Sequence, residues 1–179
     1  MSRTFWRASL RKALKPPTAT EAGFRLAVLG IGNELWGDDA AGSRAARLIQ
    51  QPLSLKAPNH FLMIDAGPVP ENFSGVLRRF QPHYVLMMDA VRASGNPGRI
   101  RWIEFADLDG VSALTHGMPL SVLGQFLESE LGALSGLLGI EGENFELGSR
   151  LSSTVNRSVN LAARDIRKLI QDIDQNLKP

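Results

Sequence analysis

The sequence predicts a three-layer α/β/α domain on a twisted, mostly parallel five-stranded sheet with one antiparallel edge strand. Three observations carry this. Short apolar runs alternate with stretches of helical periodicity, the pattern of parallel strands joined by crossover helices. The runs at 24–31, 60–64, 84–88 and 133–140 are apolar almost throughout, as strands buried on both faces must be. The first ends in Gly30-Ile31-Gly32 and leads through a short loop to an acidic pair, Asp38-Asp39, that opens a helix. Strand, glycine turn and helix N-terminus form the entrance of a doubly wound sheet, where ligands bind.

Taken in order, Phe5, Trp6, Leu10 and Leu14 recur at helical spacing among Arg3, Arg7, Arg11, Lys12 and Lys15, with no acidic residue before Glu21. This predicts a basic amphipathic accessory helix, folded against the domain or a partner. Pro16-Pro17 link it onward, so that residues 1–23 are an extension and 24–179 the single domain. From Asp38 a helical face of Ala41, Ala45, Leu48 and Ile49 follows, with Asp38 or Asp39 as cap and Pro52 as stop. The strand at 60–64 stops at Asp65-Ala66-Gly67-Pro68, and 71–80 form a short helix with Phe73, Val76, Leu77 and Phe80 on one side. The strand at 84–88 stops at Asp89-Ala90. A turn at Ser94-Gly95-Asn96-Pro97-Gly98 precedes an alternating stretch, 99–105, which suits an antiparallel edge strand with one wet face.

Residues 107–117 read as loop. Pro119 then starts a helix whose stripe is Leu120, Leu123, Phe126, Leu127 and Leu131. After the Leu-rich strand at 133–140, the residues Val155, Val159, Ala162, Ile166, Leu169 and Ile173 trace a long closing helix capped by Ser152 or Ser153.

Composition narrows the function. The 179 residues suffice for one core. A net charge of +2 is too small to argue for a nucleic-acid partner, and none is expected. There is no cysteine, which excludes disulfides, thiolate metal sites and a cysteine nucleophile, and fits a cytoplasmic location. No apolar run reaches the roughly 18 residues of a membrane span, and no secretory h-region is present. The ordinary balance of apolar and charged residues suits a monomer.

The candidate chemistry lies at strand ends. Asp65 and Asp89 each follow an apolar strand, and Asp38 and Asp39 lie beyond the end of the first. In an open α/β sheet those ends share one edge. His116, in the loop before the Pro119 helix, can return to the same edge. Carboxylates with an imidazole suit nickel, zinc, copper or iron, whereas carboxylates alone favour magnesium or calcium. Such a cluster can also hold a proton at neutral pH and act as acid or base.

Each residue also has a structural reading. A strand-end Asp can form a turn or cap a helix, Asp38 above all as an N-cap, and His116 can be a hydrogen-bonding loop residue. His60 and His83 read as structural. Gly30, Gly32 and Gly37 do not fit a dinucleotide fingerprint, because the third follows the second by five residues. No nucleophile-elbow serine, H-E-x-x-H or phosphate loop occurs.

Four blocks together resemble the hydrogenase maturation proteases, most of all the branch that processes the large subunit of hydrogenase 3, the formate-hydrogenlyase type. They are Gly30-Ile31-Gly32-Asn33 with Gly37-Asp38-Asp39 and Gly42, Ile64-Asp65-Ala66-Gly67 with Pro70-Glu71-Asn72, Met88-Asp89-Ala90, and Thr115-His116 with Met118-Pro119. The resemblance runs from about Leu26, through Gly139-Ile140, to the C-terminal helix, and leaves out the N-terminal extension. It implies a nickel-recognising endopeptidase that removes a C-terminal peptide from the [NiFe]-hydrogenase large-subunit precursor once nickel has been inserted. It also implies that Asp39, Asp89 and His116 touch the metal, with Asp38 as a second acidic position beside them. One departure is Asp65-Ala66-Gly67-Pro68, where the family commonly has Asp-Gly-Gly; Ala restricts φ and Pro stiffens the chain after it.

The expected function is therefore an endopeptidase that reads substrate-held nickel. Asp39, Asp89 and Asp38 are its candidate catalytic carboxylates, and Asp39, Asp89 and His116 its candidate nickel contacts. Water is activated by a carboxylate, by the metal, or by both. Two alternatives stand beside it: a related metal-dependent peptide or amide hydrolase, and a non-catalytic chaperone that checks the metal without cutting.

Overall fold

The computed structural model describes residues 5–14, 23–92, 95–104, 112–113 and 118–177. Arg3, Lys15, the Pro16-Pro17 linker, Ser94, Phe105 and His116 lie outside the described residues.

The strands are β1 (Leu26–Ile31), β2 (Phe61–Gly67), β3 (Tyr84–Arg92), β4 (Ile100–Ile103), β5 (Ser112–Ala113) and β6 (Leu134–Glu141). The helices are α1 (Phe5–Ala13), α2 (Ala41–Gln50), α3 (Ser74–Phe80), α4 (Leu120–Leu131) and α5 (Ser153–Asn176). The main strands lie in the order β2-β1-β3-β6-β4. The first four are mutually parallel, and β4 runs antiparallel to β6 at the edge. This is the predicted mixed sheet. A two-residue strand, β5, adds to it inside the stretch read as loop, pairing antiparallel with Val91 and Arg92 of β3. Two residues are too few for any periodicity to show.

Period-two alternation of the buried strands divides the core in two. Leu26, Val28, Leu86, Met88, Leu138 and Ile140 face α2, α5 and α1, while Ala27, Leu29, Val85, Met87, Val91 and Leu137 face α3 and α4. The helix predicted near the N-terminus is α1, and it buries Trp6 and Leu10, with Leu14 just after its end, in the first of these clusters. Arg7 Nε, 2.6 Å from Asp165 Oδ2, ties it to α5. As predicted, α5 is capped by Ser152, whose side chain accepts from the Val155 N–H at 3.3 Å. From α5, Arg167 donates to the carbonyls of Leu48, Ile49, Gln51 and Pro52, closing the C-terminal end of α2.

Several boundaries differ from the sequence reading. The chain after β1 makes a 3-10 turn, Gly37–Ala40, and the α-helix begins only at Ala41. Residues Pro70–Phe73 form a second 3-10 turn before α3. His60 ends a third such turn, leaving Phe61 to begin β2. Asp65 and Asp89 do not follow their strands but lie within them, because the ladders continue past the apolar run: Gly30 pairs with Asp65, and Asp89 with Gly139. His60 and His83 are structural, as read. His60 Nδ1 lies 3.1 Å from the Phe24 carbonyl, and His83 Nδ1 accepts from the Arg25 N–H at 3.1 Å. Burial, then the charges of Arg25 and His60, lower the His83 pKa, which suits that acceptor role.

The strand order reverses beside β1: the chain leaves it for β2 on one side and returns to β3 on the other. Such a switch point opens a crevice at the C-terminal ends of the two strands. Asp39 and Asp89 flank that crevice.

Candidate active site

Close backbone packing builds the crevice. A Cβ on Gly42 would lie 2.0 Å from the Met88 carbonyl oxygen and 2.3 Å from that of Ile31; one on Gly30 would lie 2.2 Å from the Gly42 oxygen. The first turn of α2 therefore sits directly on the ends of β1 and β3. At Gly32 (φ +138°) a Cβ would fall 1.8 Å from the Asp39 carbonyl oxygen, so the turn carrying the acids folds tightly over the strand end.

The two neighbouring acids do different work. Asp38 is fully buried and accepts three backbone N–H groups: Glu143 and Asn144 on Oδ2, both at 3.0 Å, and Ser152 on Oδ1 at 2.6 Å. Its own N–H donates to the Asn144 carbonyl at 2.7 Å. Asp38 is not the N-cap expected of it; its side chain caps no helix of its own turn. It anchors residues 143–152, including Ser152 at the head of α5. Asp39, also buried, accepts the Asn33 N–H on Oδ2 at 2.8 Å, which fixes the loop between strand and turn.

Asp89 comes from β3, the strand beside β1. It is 1% exposed. Oδ1 accepts from the Ala90 N–H at 2.8 Å, while Oδ2 is buried with no hydrogen-bond partner among the described residues. Burial pushes this carboxyl well above the usual range, the Asp39 charge pushes it further, and the Ala90 N–H opposes both. The result is a pair of carboxyl groups in which the charge of one opposes the ionisation of the other.

Of the other predicted residues, Asp65 is drawn away: Arg47 of α2 donates to Asp65 and to Glu34, joining β2 to the loop after β1. The Ala66 departure leaves the backbone unstrained. Among the described residues Gln81 alone of the non-glycines has a positive φ, and the left-handed position in this turn falls on Gly67 (φ +60°). His116 is not described. Among the described residues no group of three or more His, Asp or Glu is placed to hold a metal ion. Carboxylate oxygens are hard donors, and Asp39 and the buried Oδ2 of Asp89, which has no hydrogen-bond partner among the described residues, are the two that the fold brings together.

Two residues escaped the sequence reading. Arg47 gives no signal beyond being a helix-face arginine. Glu141, 1% exposed at the end of β6, follows an apolar run just as Asp65 and Asp89 do, and the same rule would have found it.

Residues 44–169 match the hydrogenase maturation protease family HycI. A putative hydrogenase maturation protease of Methanocaldococcus jannaschii is 26% identical over 158 residues, covering 86% of this chain and 90% of its own. The hydrogenase 3 maturation protease of Escherichia coli is 33% identical over 115 residues, 64% of this chain and 70% of its own. Among solved structures, the hydrogenase maturation protease HycI of Thermococcus kodakarensis superposes with a TM-score of 0.78 at 23% identity, over 90% of this chain and 98% of that one, which bears on the fold alone. The solution structure of the Escherichia coli endopeptidase HycI gives 0.68 at 28% identity, over 79% and 88%. The chain belongs to the hydrogenase maturation protease family and is a peptidase.

Proposed function

We propose that this peptidase removes the C-terminal peptide of a [NiFe]-hydrogenase large-subunit precursor after nickel insertion, and that it reads nickel held by that substrate. The observation that carries the reading is the buried Asp89 carboxyl, with one oxygen unpartnered, beside Asp39 at the switch point. A group in that state waits for a cation. When the nickel-bearing segment docks, its charge lowers the Asp89 pKa, the proton leaves, and both carboxylates become competent ligands. His116 is the third contact. A precursor without nickel leaves Asp89 protonated and the pocket unsatisfied.

Hydrolysis then requires that the attacking water lose a proton and the leaving amine gain one. A carboxylate of the pair accepts the first and passes it on to the leaving amine. Asp38 is a positioning residue: both of its oxygens are engaged by backbone N–H groups. The protein acts as a cytoplasmic monomer on one protein substrate, without nucleic acid or membrane insertion. No helix among the described residues is long and apolar enough to cross a membrane.

The test is mass analysis of a large-subunit precursor incubated with the enzyme, with and without nickel. Loss of a C-terminal peptide only from the nickel-loaded form supports the proposal. Binding without cleavage supports a metal-checking chaperone, and stoichiometric metal retained by the enzyme after dialysis supports a resident-metal hydrolase.

A further inference from the structure

The endopeptidase reading leaves a charge pair on the Asp89 face of the sheet without a task. Glu141 closes β6 and is 1% exposed. Its N–H donates to the Arg99 carbonyl at 2.9 Å, its carbonyl accepts from the Gly98 N–H at 2.6 Å, and Oε2 accepts from the Asn96 N–H at 3.3 Å. Oε1 is buried without a hydrogen bond among the described residues, and Arg101 Nη1 stands 3.7 Å away, too far to supply one. Charge alone offsets the burial of that oxygen.

Arg101 is thus kept in position with its donors unspent. A guanidinium has five N–H groups in a planar fork suited to a carboxylate. Among the described residues none of them makes a hydrogen bond, and the side chain is 36% exposed. The register locates it. Asp89 and Arg101 both pair with Gly139, from opposite sides of β6, which puts them on one face two strands apart, about 10 Å. The methyls of Val91 and Ile103 close over Gly139 between them; a Cβ there would lie 2.9 and 3.1 Å from those side chains. An extended peptide, at about 3.3 Å per residue, covers the gap in about three residues.

We propose that Arg101, held by Glu141, binds a carboxylate of the peptide being cut, about three residues from the scissile bond. This rests on the endopeptidase reading. The carboxylate is either an Asp or Glu side chain or the terminal carboxylate of the released peptide; the chemistry of recognition is the same.

Steady-state cleavage of a nickel-loaded large-subunit precursor tests it with wild type, Arg101→Gln, Arg101→Lys and Glu141→Gln. Arg101→Gln should raise KM about tenfold with kcat unchanged, as loss of one charge-assisted contact does. Arg101→Lys should recover part of the loss, and Glu141→Gln, which loosens the guanidinium, should show a smaller rise. On a precursor whose Asp and Glu near the cleavage point are Asn and Gln, or on one ending in a C-terminal amide, wild type and Arg101→Gln should become equal. Whichever substrate does so identifies the source. Equal KM for wild type and Arg101→Gln on the native precursor overturns the proposal, as does a fall in kcat that is the same on every substrate. Failure of the wild type to cut the nickel-loaded precursor overturns the endopeptidase reading itself, and the subsite with it.

Discussion

Asp39, in the turn after β1, and Asp89, in the neighbouring strand β3, are close enough that the charge of the first acts on the buried carboxyl of the second. Their elements are far apart in sequence; the strand order makes them neighbours. Burial contributes most to the rise in the Asp89 pKa and Asp39 adds to it. Removing the Asp39 charge with Asp39→Asn should therefore lower the Asp89 titration midpoint. Carbon-detected NMR of the Asp89 carboxyl reads that shift, and an unchanged midpoint would mean that the two carboxyls are not coupled.

The same pair makes stability depend on pH with a definite sign. The folded Asp89 pKa lies above the unfolded value, so the native state binds more protons and stability falls as pH rises from the ordinary carboxylate range through the raised pKa. Below that range both states are protonated and nothing is lost. Asp89→Asn removes the titration. Its Tm relative to wild type should climb between pH 4 and pH 8; a constant offset would contradict the reading.

Asp38 and Asp39 are adjacent in sequence and should behave oppositely. Asp38→Ala removes the buried carboxylate to which the N–H groups of Glu143, Asn144 and Ser152 donate, at a cost of about 3 kcal/mol or more. Chemical denaturation measures the loss, and faster hydrogen exchange at those three amides locates it. Asp39→Asn keeps an acceptor for Asn33 and should leave stability within about 1 kcal/mol of wild type.

Sequence alone made Asp39, Asp89 and the crevice legible, because apolar strands ending in acids at a shared sheet edge follow from the α/β pattern. It could not separate Asp38 from Asp39. The groups that claim Asp38 lie more than a hundred residues onward, in a stretch without periodicity. The helical spacing of Trp6, Leu10 and Leu14 disclosed α1, whereas the true ends of β2 and β3 were hidden. Those strands continue past polar residues because neighbouring backbone is there to pair with them.

Two glycines provide a contrast in packing. Gly42→Ala drives a methyl into backbone carbonyls of β1 and β3 and should cost about 4 kcal/mol or more or prevent folding. Gly75, in α3, has no neighbour nearer than Arg79 Nη1 at 3.9 Å, and Gly75→Ala should stabilise by about 0.5–1 kcal/mol. Thermal melts of the two variants decide both.

The role of α1 is tested by truncating its buried face. Trp6→Ala should cost about 3–5 kcal/mol, while Phe5→Ala, at a side chain 77% exposed, should change stability by about 0.5 kcal/mol or less. Equal small effects would mean that α1 is not part of the core.

Whether Asp39 and Asp89 together read the substrate's nickel and cut comes down to one mass measurement on the nickel-loaded large-subunit precursor. Wild type should release the C-terminal peptide from the nickel-loaded form and not from the nickel-free form, and folded Asp39→Asn should release none. Full processing by Asp39→Asn would refute the assignment.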